Sequence, residues 1–277
     1  MRRLMAAALV MAVASSVWAA PAGLQSSTLG QGPTLVMLHN LGGTRTGWMP
    51  TARKLLPNYR VVLVDLPGHG SSPMPNPFTL QAGAAAIDAV LAAQKAESTI
   101  VVGQGMGALM AMLALEAHPE RARGLVAIEM TLKKQFSVND QMLDRFMAQI
   151  DLNYDKFLKS MYLGLGRDSA QGVAIHAQAA QVPAPTMKSY FREMMTFDPA
   201  EKAQTVRTPM LLIATDRLWA GKDSATVATS LGYEALQSPF TLRRLEKAGL
   251  LAPSEQPDSL AAWIGRFSRQ MLAAKPK

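Results

Sequence analysis

Between Thr99 and His118 the chain runs from the β-branched stretch Thr99-Ile-Val-Val102, through glycines at 103, 105 and 107, into Met106–Ala117, dominated by alanine, leucine and methionine. β-Branched residues fit a pleated strand, whereas alanine, leucine and methionine are strong helix formers. Glycine at alternate positions admits unusual backbone angles and close backbone approach. The pattern predicts a strand, a very tight turn and a helix.

Short apolar runs recur at Leu35–Leu38, Val61–Val64, Ile100–Val102, Leu125–Ile128, Met210–Ile213 and Phe240–Leu245, with one weaker strand expected near Leu24–Leu29. Runs apolar at successive positions suit strands buried on both faces, as in a parallel sheet covered by helices. Helical patterns lie between them at Trp48–Leu56, Leu80–Lys95, Met106–Ala117 and Ser259–Leu272. This alternation predicts an α/β fold with a mostly parallel β-sheet flanked by helices. It breaks over 131–200, which are helical in pattern, rich in methionine and interrupted by Gly164-Leu-Gly166 and Val182-Pro-Ala-Pro185. The expected organisation is a first part of the core over 20–130, an inserted helical cap over 131–200 and a second part of the core over 201–277.

The glycine spacing is that of the nucleophile elbow Gly-x-Ser-x-Gly, where a sharp strand-to-helix turn lifts a serine hydroxyl above the sheet. Further blocks follow in order: Val36-Met-Leu-His39-Asn40-Leu41-Gly42-Gly43, Asp65-Leu-Pro-Gly-His69-Gly70-Ser71-Ser72, His118-Pro-Glu-Arg121, Gly124–Glu129, Thr208–Asp216 and Ala248-Gly-Leu250-Leu-Ala-Pro253. With the elbow, these blocks resemble the α/β-hydrolase family over nearly all of the mature length. The resemblance implies that fold, with a Ser-His-acid triad and an oxyanion hole. It puts Gly105 at the serine position and Leu250 at the histidine position. Glycine has no nucleophile and leucine moves no proton, so the resemblance implies a degenerate member.

For the third triad position the candidates are Asp216, which closely follows its strand, Asp223, seven residues later, and Glu129 at the end of another strand. The resemblance assigns the oxyanion donors to the backbone N–H groups of Leu41 and Met106, which need no particular side chain. Asn40 stands where the family usually has glycine. Its amide either fills part of the site, binds a polar group of a ligand, or holds a loop turn. His39, Trp48 and the methionines at 106, 110, 112, 142, 147, 161, 187, 194 and 195 complete the residues expected around a pocket or in the core behind it. His39, His69 and His118 read as loop-ordering residues. His176 in the cap, with Ser71 and Ser72, supplies the remaining pieces from which a substitute active site would have to be built.

The chain opens Met1-Arg2-Arg3, then Leu4–Val13, then Ser15-Ser-Val-Trp-Ala19. A basic start, a short apolar core and small residues before a cut after Ala19 read as a signal peptide over 1–19, with a periplasmic or secreted destination. The chain has no cysteine, which excludes a cysteine nucleophile. Four scattered histidines with no carboxylate at ligand spacing predict no metal site, and no cofactor motif is visible. The net charge of +8 is spread along the chain without an arginine-rich run interleaved with aromatics, so nucleic acid is not an expected partner. Nor is stable membrane insertion after the leader is removed. The expected function is non-hydrolytic: binding of a small apolar or ester-like ligand, or of a protein partner. The alternative is an active esterase- or lipase-like enzyme, or a cofactor-independent lyase, using non-standard residues.

Overall fold

The computed structural model describes residues 23–134, 136–221 and 223–274. The leader read from 1–19 lies outside the described residues. In chain order the elements are β1 (Ser26–Leu29), β2 (Thr34–Leu38), α1 (Met49–Leu55), β3 (Arg60–Val64), α2 (Leu80–Ala92), β4 (Thr99–Gln104), α3 (Met106–Ala117) and β5 (Leu125–Ile128). There follow α4 (Asp140–Leu152), α5 (Tyr154–Leu165), α6 (Ser169–Ala179), α7 (Ala184–Thr196), α8 (Pro199–Ala203) and β6 (Met210–Thr215). The chain ends with α9 (Ser224–Ser230), β7 (Phe240–Leu245), α10 (Ala252–Glu255) and α11 (Pro257–Ala273).

The strands form one seven-stranded sheet in the order β1-β3-β2-β4-β5-β6-β7. β1 is antiparallel to β3, and the other pairs are parallel. Successive side chains of a strand point to opposite faces, and here both faces are covered. Val36, Leu38, Val62, Val64 and Val101 face one apolar cluster with α2 and α3. Leu35, Met37, Val61, Leu63 and Val102 face a second, with α1 and α11. That is why these strands read as continuous apolar runs.

β7 departs from the expectation of a strand buried on both faces. It is paired only with β6, and most of Phe240–Leu245 is exposed. An edge strand has one flank in solvent, so Arg243 and Arg244 sit there at little cost.

Between β5 and β6 the chain leaves the sheet for α4–α8. Asn139 and Asp168 cap α4 and α6 by accepting from the N–H groups of Met142 and Gln171. Several side chains tie these helices to the core, among them Tyr162, Tyr190 and Glu193. The Tyr162 hydroxyl donates to the Leu41 carbonyl at 3.1 Å, and that of Tyr190 to the Pro67 carbonyl at 3.1 Å. Glu193 accepts from the Leu80 N–H at the start of α2 at 2.8 Å. Among the described residues no helix is long and apolar enough to cross a membrane.

Candidate functional site

The strand order reverses at β2, whose neighbours β3 and β4 continue the chain to opposite sides. Crevices beyond the carboxyl ends of strands at such a point are the usual ligand sites of open α/β sheets. The residues leaving β2 are His39-Asn40-Leu41, and those leaving β4 are Gly105-Met106. Gly105 has φ +50° and ψ −116°, a conformation that costs any other residue strain. Its neighbours are needed for closeness. A methyl on Gly103 would lie 2.6 Å from the Ala108 nitrogen, and one on Gly107 2.9 Å from the Leu38 carbonyl oxygen. The strand and helix of the elbow therefore pack backbone to backbone.

Above Gly105 lies the side chain of Asn40. A β-carbon on Gly105 would sit 2.5 Å from Asn40 Cγ and closer still to Oδ1. Asn40 Oδ1 accepts from the Leu41 N–H at 2.8 Å and from the Met106 N–H at 3.0 Å. These are the two donors that sequence reasoning assigned to the oxyanion hole. Because both neighbours are donors, the amide must present its oxygen to them and turn Nδ2 away. The hole is complete, and its occupant is part of the chain.

Two buried histidines fix the loop that carries Asn40. His39 Nε2 accepts from the Leu66 N–H at 3.1 Å, so its proton is on Nδ1, which donates to the Asn40 carbonyl at 2.7 Å. His69 Nε2 accepts from the Gly42 N–H at 3.2 Å, and its Nδ1 donates to the Pro67 carbonyl at 3.0 Å. Burial, then the neighbouring His69, lowers His39 to about 3, and burial also lowers His69. Both rings are neutral positioning groups.

Over Asn40 and Gly105, α5 and α7 close a cavity of about 300 Å³. Its walls are mainly apolar, among them Met106, Leu109, Met161, Phe191, Met194 and Phe197. Glu129, Thr131, Lys133 and Arg217 contribute its polar side. Glu129 is the one acid candidate that reaches this cavity. It adopts φ +56°, unusual for a residue with a side chain, and its carboxylate is buried. The Thr215 N–H and hydroxyl donate to Glu129 Oε1, and the Arg217 guanidinium donates to Oε2, with Nε at 2.7 Å. No acceptor is left over for a histidine.

Asp216 turns outward. Its carboxylate takes Arg244 Nε at 2.9 Å and the Lys247 N–H at 2.7 Å, which hold it below the usual carboxylate range. Asp223 caps α9 through Thr226, and that bond lowers it likewise. Neither lines the cavity. Ser72 is a loop tie, accepting from the Gln25 N–H and donating to the Asp65 carbonyl, while Ser71 is exposed. His176, at the end of α6, is not among the residues lining the cavity.

Leu250 borders this cavity, and its carbonyl accepts from Gln104 Nε2 at 2.7 Å. It also borders a second cavity of about 210 Å³ on the far side of Asn40 and Tyr162, beside the buried Trp48. Of the methionines, Met106, Met161 and Met194 face the larger cavity. Met110, Met112, Met147, Met187 and Met195 are core, and Met142 is exposed. Arg217 and the aromatic wall of Phe191 and Phe197 were not singled out by sequence reasoning. Arg217 follows Asp216 directly, so the same strand end held the signal.

The model of the alpha/beta hydrolase family matches residues 35–263. A pimeloyl-(acyl-carrier protein) methyl ester esterase of Vibrio cholerae is 28% identical over 222 residues, covering 74% of this chain and 83% of that protein. The corresponding esterase of Pseudoalteromonas atlantica is 29% identical over 157 residues, and the match covers 53% of this chain and only 59% of that protein. Among solved structures, a hydrolase from Oleispira antarctica superposes with a TM-score of 0.74 at 15% identity, over 89% of this chain and 94% of that one, which speaks for the fold. With the elbow, the sheet order and a family match over most of its length, this chain belongs to the alpha/beta hydrolase family.

Proposed function

We propose that this protein is a non-hydrolytic member of its family that binds a small, largely apolar ligand in the cavity above Gly105. The observation that carries this reading is Asn40 Oδ1 on both the Leu41 and Met106 N–H groups. In a working site those donors meet the oxygen that becomes negative in the transition state, and removing one costs about 10²–10³ in rate. Here both are engaged, Gly105 provides no attacking oxygen, and Leu250 transfers no proton. An apolar cavity with a few convergent polar groups is what remains, and that is a binding site.

A second reading, an active esterase using other residues, is favoured by the names of the two relatives described above, both esterases. It would have to recruit Glu129, which is already consumed by Thr215 and Arg217. The experiment is ester hydrolysis by the purified protein over short- and medium-chain acyl substrates, with Gly105→Ala as control. Turnover at the uncatalysed rate supports the binding reading, and turnover well above it refutes that reading. An exported location, inferred from residues 1–19, belongs to the same proposal; the mass of the mature N-terminus tests it.

A further inference from the structure

Resting on the non-hydrolytic reading, we infer that Leu250 sets the length limit of the ligand, by dividing the cavity above Gly105 from the smaller one beside Trp48. The two cavities, of about 300 and about 210 Å³, share four bordering residues: Asn40, Leu41, Tyr162 and Leu250. Three of these are tied to one another. The Leu41 N–H donates to Asn40 Oδ1, and the Tyr162 hydroxyl donates to the Leu41 carbonyl. Leu250 completes the partition from the second part of the core, and its side chain is hydrocarbon with no polar duty.

The backbone around that side chain is held on both sides. Gln104, buried at the end of β4, donates from Nε2 to the Leu250 carbonyl at 2.7 Å. The Gly249 N–H donates to Glu255 Oε2 at 2.7 Å, and the buried Gln171 of α6 donates to Oε1 of the same carboxylate at 2.6 Å. Arg167, between α5 and α6, donates to the Lys247 carbonyl at 3.2 Å and to Glu255 Oε1 at 2.7 Å. The loop carrying Leu250 is thus fastened to the cap as well as to the sheet, and the partition shifts only by breaking buried hydrogen bonds. An apolar cavity of about 150 Å³ holds one benzene molecule. On that scale the larger cavity takes about twelve non-hydrogen atoms and the smaller one about eight more. The ligand class is therefore hydrocarbon-rich molecules that end near about twelve non-hydrogen atoms. The extra methylenes of a longer chain meet Leu250 and find no further apolar space.

The test is equilibrium dialysis of the purified protein against unbranched primary alkanols from butanol to hexadecanol, with the bound fraction read by gas chromatography. Alkanols carry no charge for the Glu129–Arg217 pair to act on. Kd should fall about fourfold with each methylene as far as about undecanol and level off beyond it. Leu250→Ala should move that break to longer chains, so that hexadecanol binds about tenfold or more tightly than undecanol. Because Leu250→Ala removes buried packing and risks unfolding, methyl NMR of the wild type gives a second readout. Decanol should shift the methyl signals of Met161 and Met194, which border the larger cavity, and leave that of Ile175, which borders the smaller one. No break up to hexadecanol, a response of Ile175 in the wild type, an unmoved break in folded Leu250→Ala, or no alkanol bound more tightly than about 1 mM overturns the inference. Release of acid from methyl decanoate at a catalytic rate refutes the non-hydrolytic reading itself, a separate readout on the same protein.

Discussion

Replacing Gly105 by alanine tests the geometry around Asn40 without touching any charged group. At φ +50° and ψ −116° a side chain costs about 1–3 kcal/mol of backbone strain. The new methyl also takes the place of the Asn40 amide, whose Cγ would be 2.5 Å away. Asn40 must then leave, losing two hydrogen bonds at about 0.5–1.5 kcal/mol each. Gly105→Ala should thus destabilise by about 2–6 kcal/mol. Asn40→Ala alone loses the same two bonds but exposes the N–H groups to a cavity that admits water, for about 1–3 kcal/mol. In the double variant the displacement is counted once, so the sum of the single effects should exceed the double by about 1–3 kcal/mol. Denaturant unfolding of the four proteins measures the cycle, at unchanged slope. Additivity within about 0.5 kcal/mol would refute the claim that Asn40 stands on Gly105.

Three further outcomes are expected. Arg217→Met should destabilise by about 3–5 kcal/mol by stranding the Glu129 carboxylate, and adding Glu129→Gln should recover most of the loss, as read by thermal unfolding. His39, held at about 3 when folded against about 6.5 unfolded, stays neutral in the folded protein while the unfolded chain takes up a proton. Its contribution is intact above about pH 6.5 and lost as the pH falls toward 3, by about 1.4 kcal/mol per pH unit, and His39→Gln should flatten that slope in unfolding measured from pH 7 to pH 4. Finally, Gly105→Ser with Leu250→His should stay near background against p-nitrophenyl esters, and adding Asn40→Gly should raise turnover about 10²-fold; equal rates would show that the amide does not block the hole.

The elbow was legible because it is a local matter: β-branched residues and alternate glycines leading into a run of helix formers. The apolar runs located the strands for the same reason. Strand order was not legible, and Phe240–Leu245 shows the consequence. A run of that composition does not reveal that only one neighbour flanks it, so its exposure came from topology. Asn40 was recognised as unusual, with three roles open to its amide. The choice among them depended on the Met106 N–H, 66 residues away, which the fold brings to the same oxygen. As one of three acid candidates with no histidine to orient, Glu129 reads in the sequence as a former of loop hydrogen bonds; that its partners are Thr215 and an arginine at the end of the adjacent strand is visible only in the fold. Periodicity speaks to elements; pairings between loops after different strands are set by the sheet.

The amide seated over Gly105 also shapes which histories are open to this chain. A mutation that places serine at position 105 meets a strained backbone and an occupied site. A change that removes Asn40 first opens a hole with no nucleophile beneath it. Each step taken alone lowers stability, so on the non-hydrolytic reading proposed above a path to hydrolysis crosses at least two unfavourable intermediates. Selection acting on stability alone is then enough to hold the site in its present form.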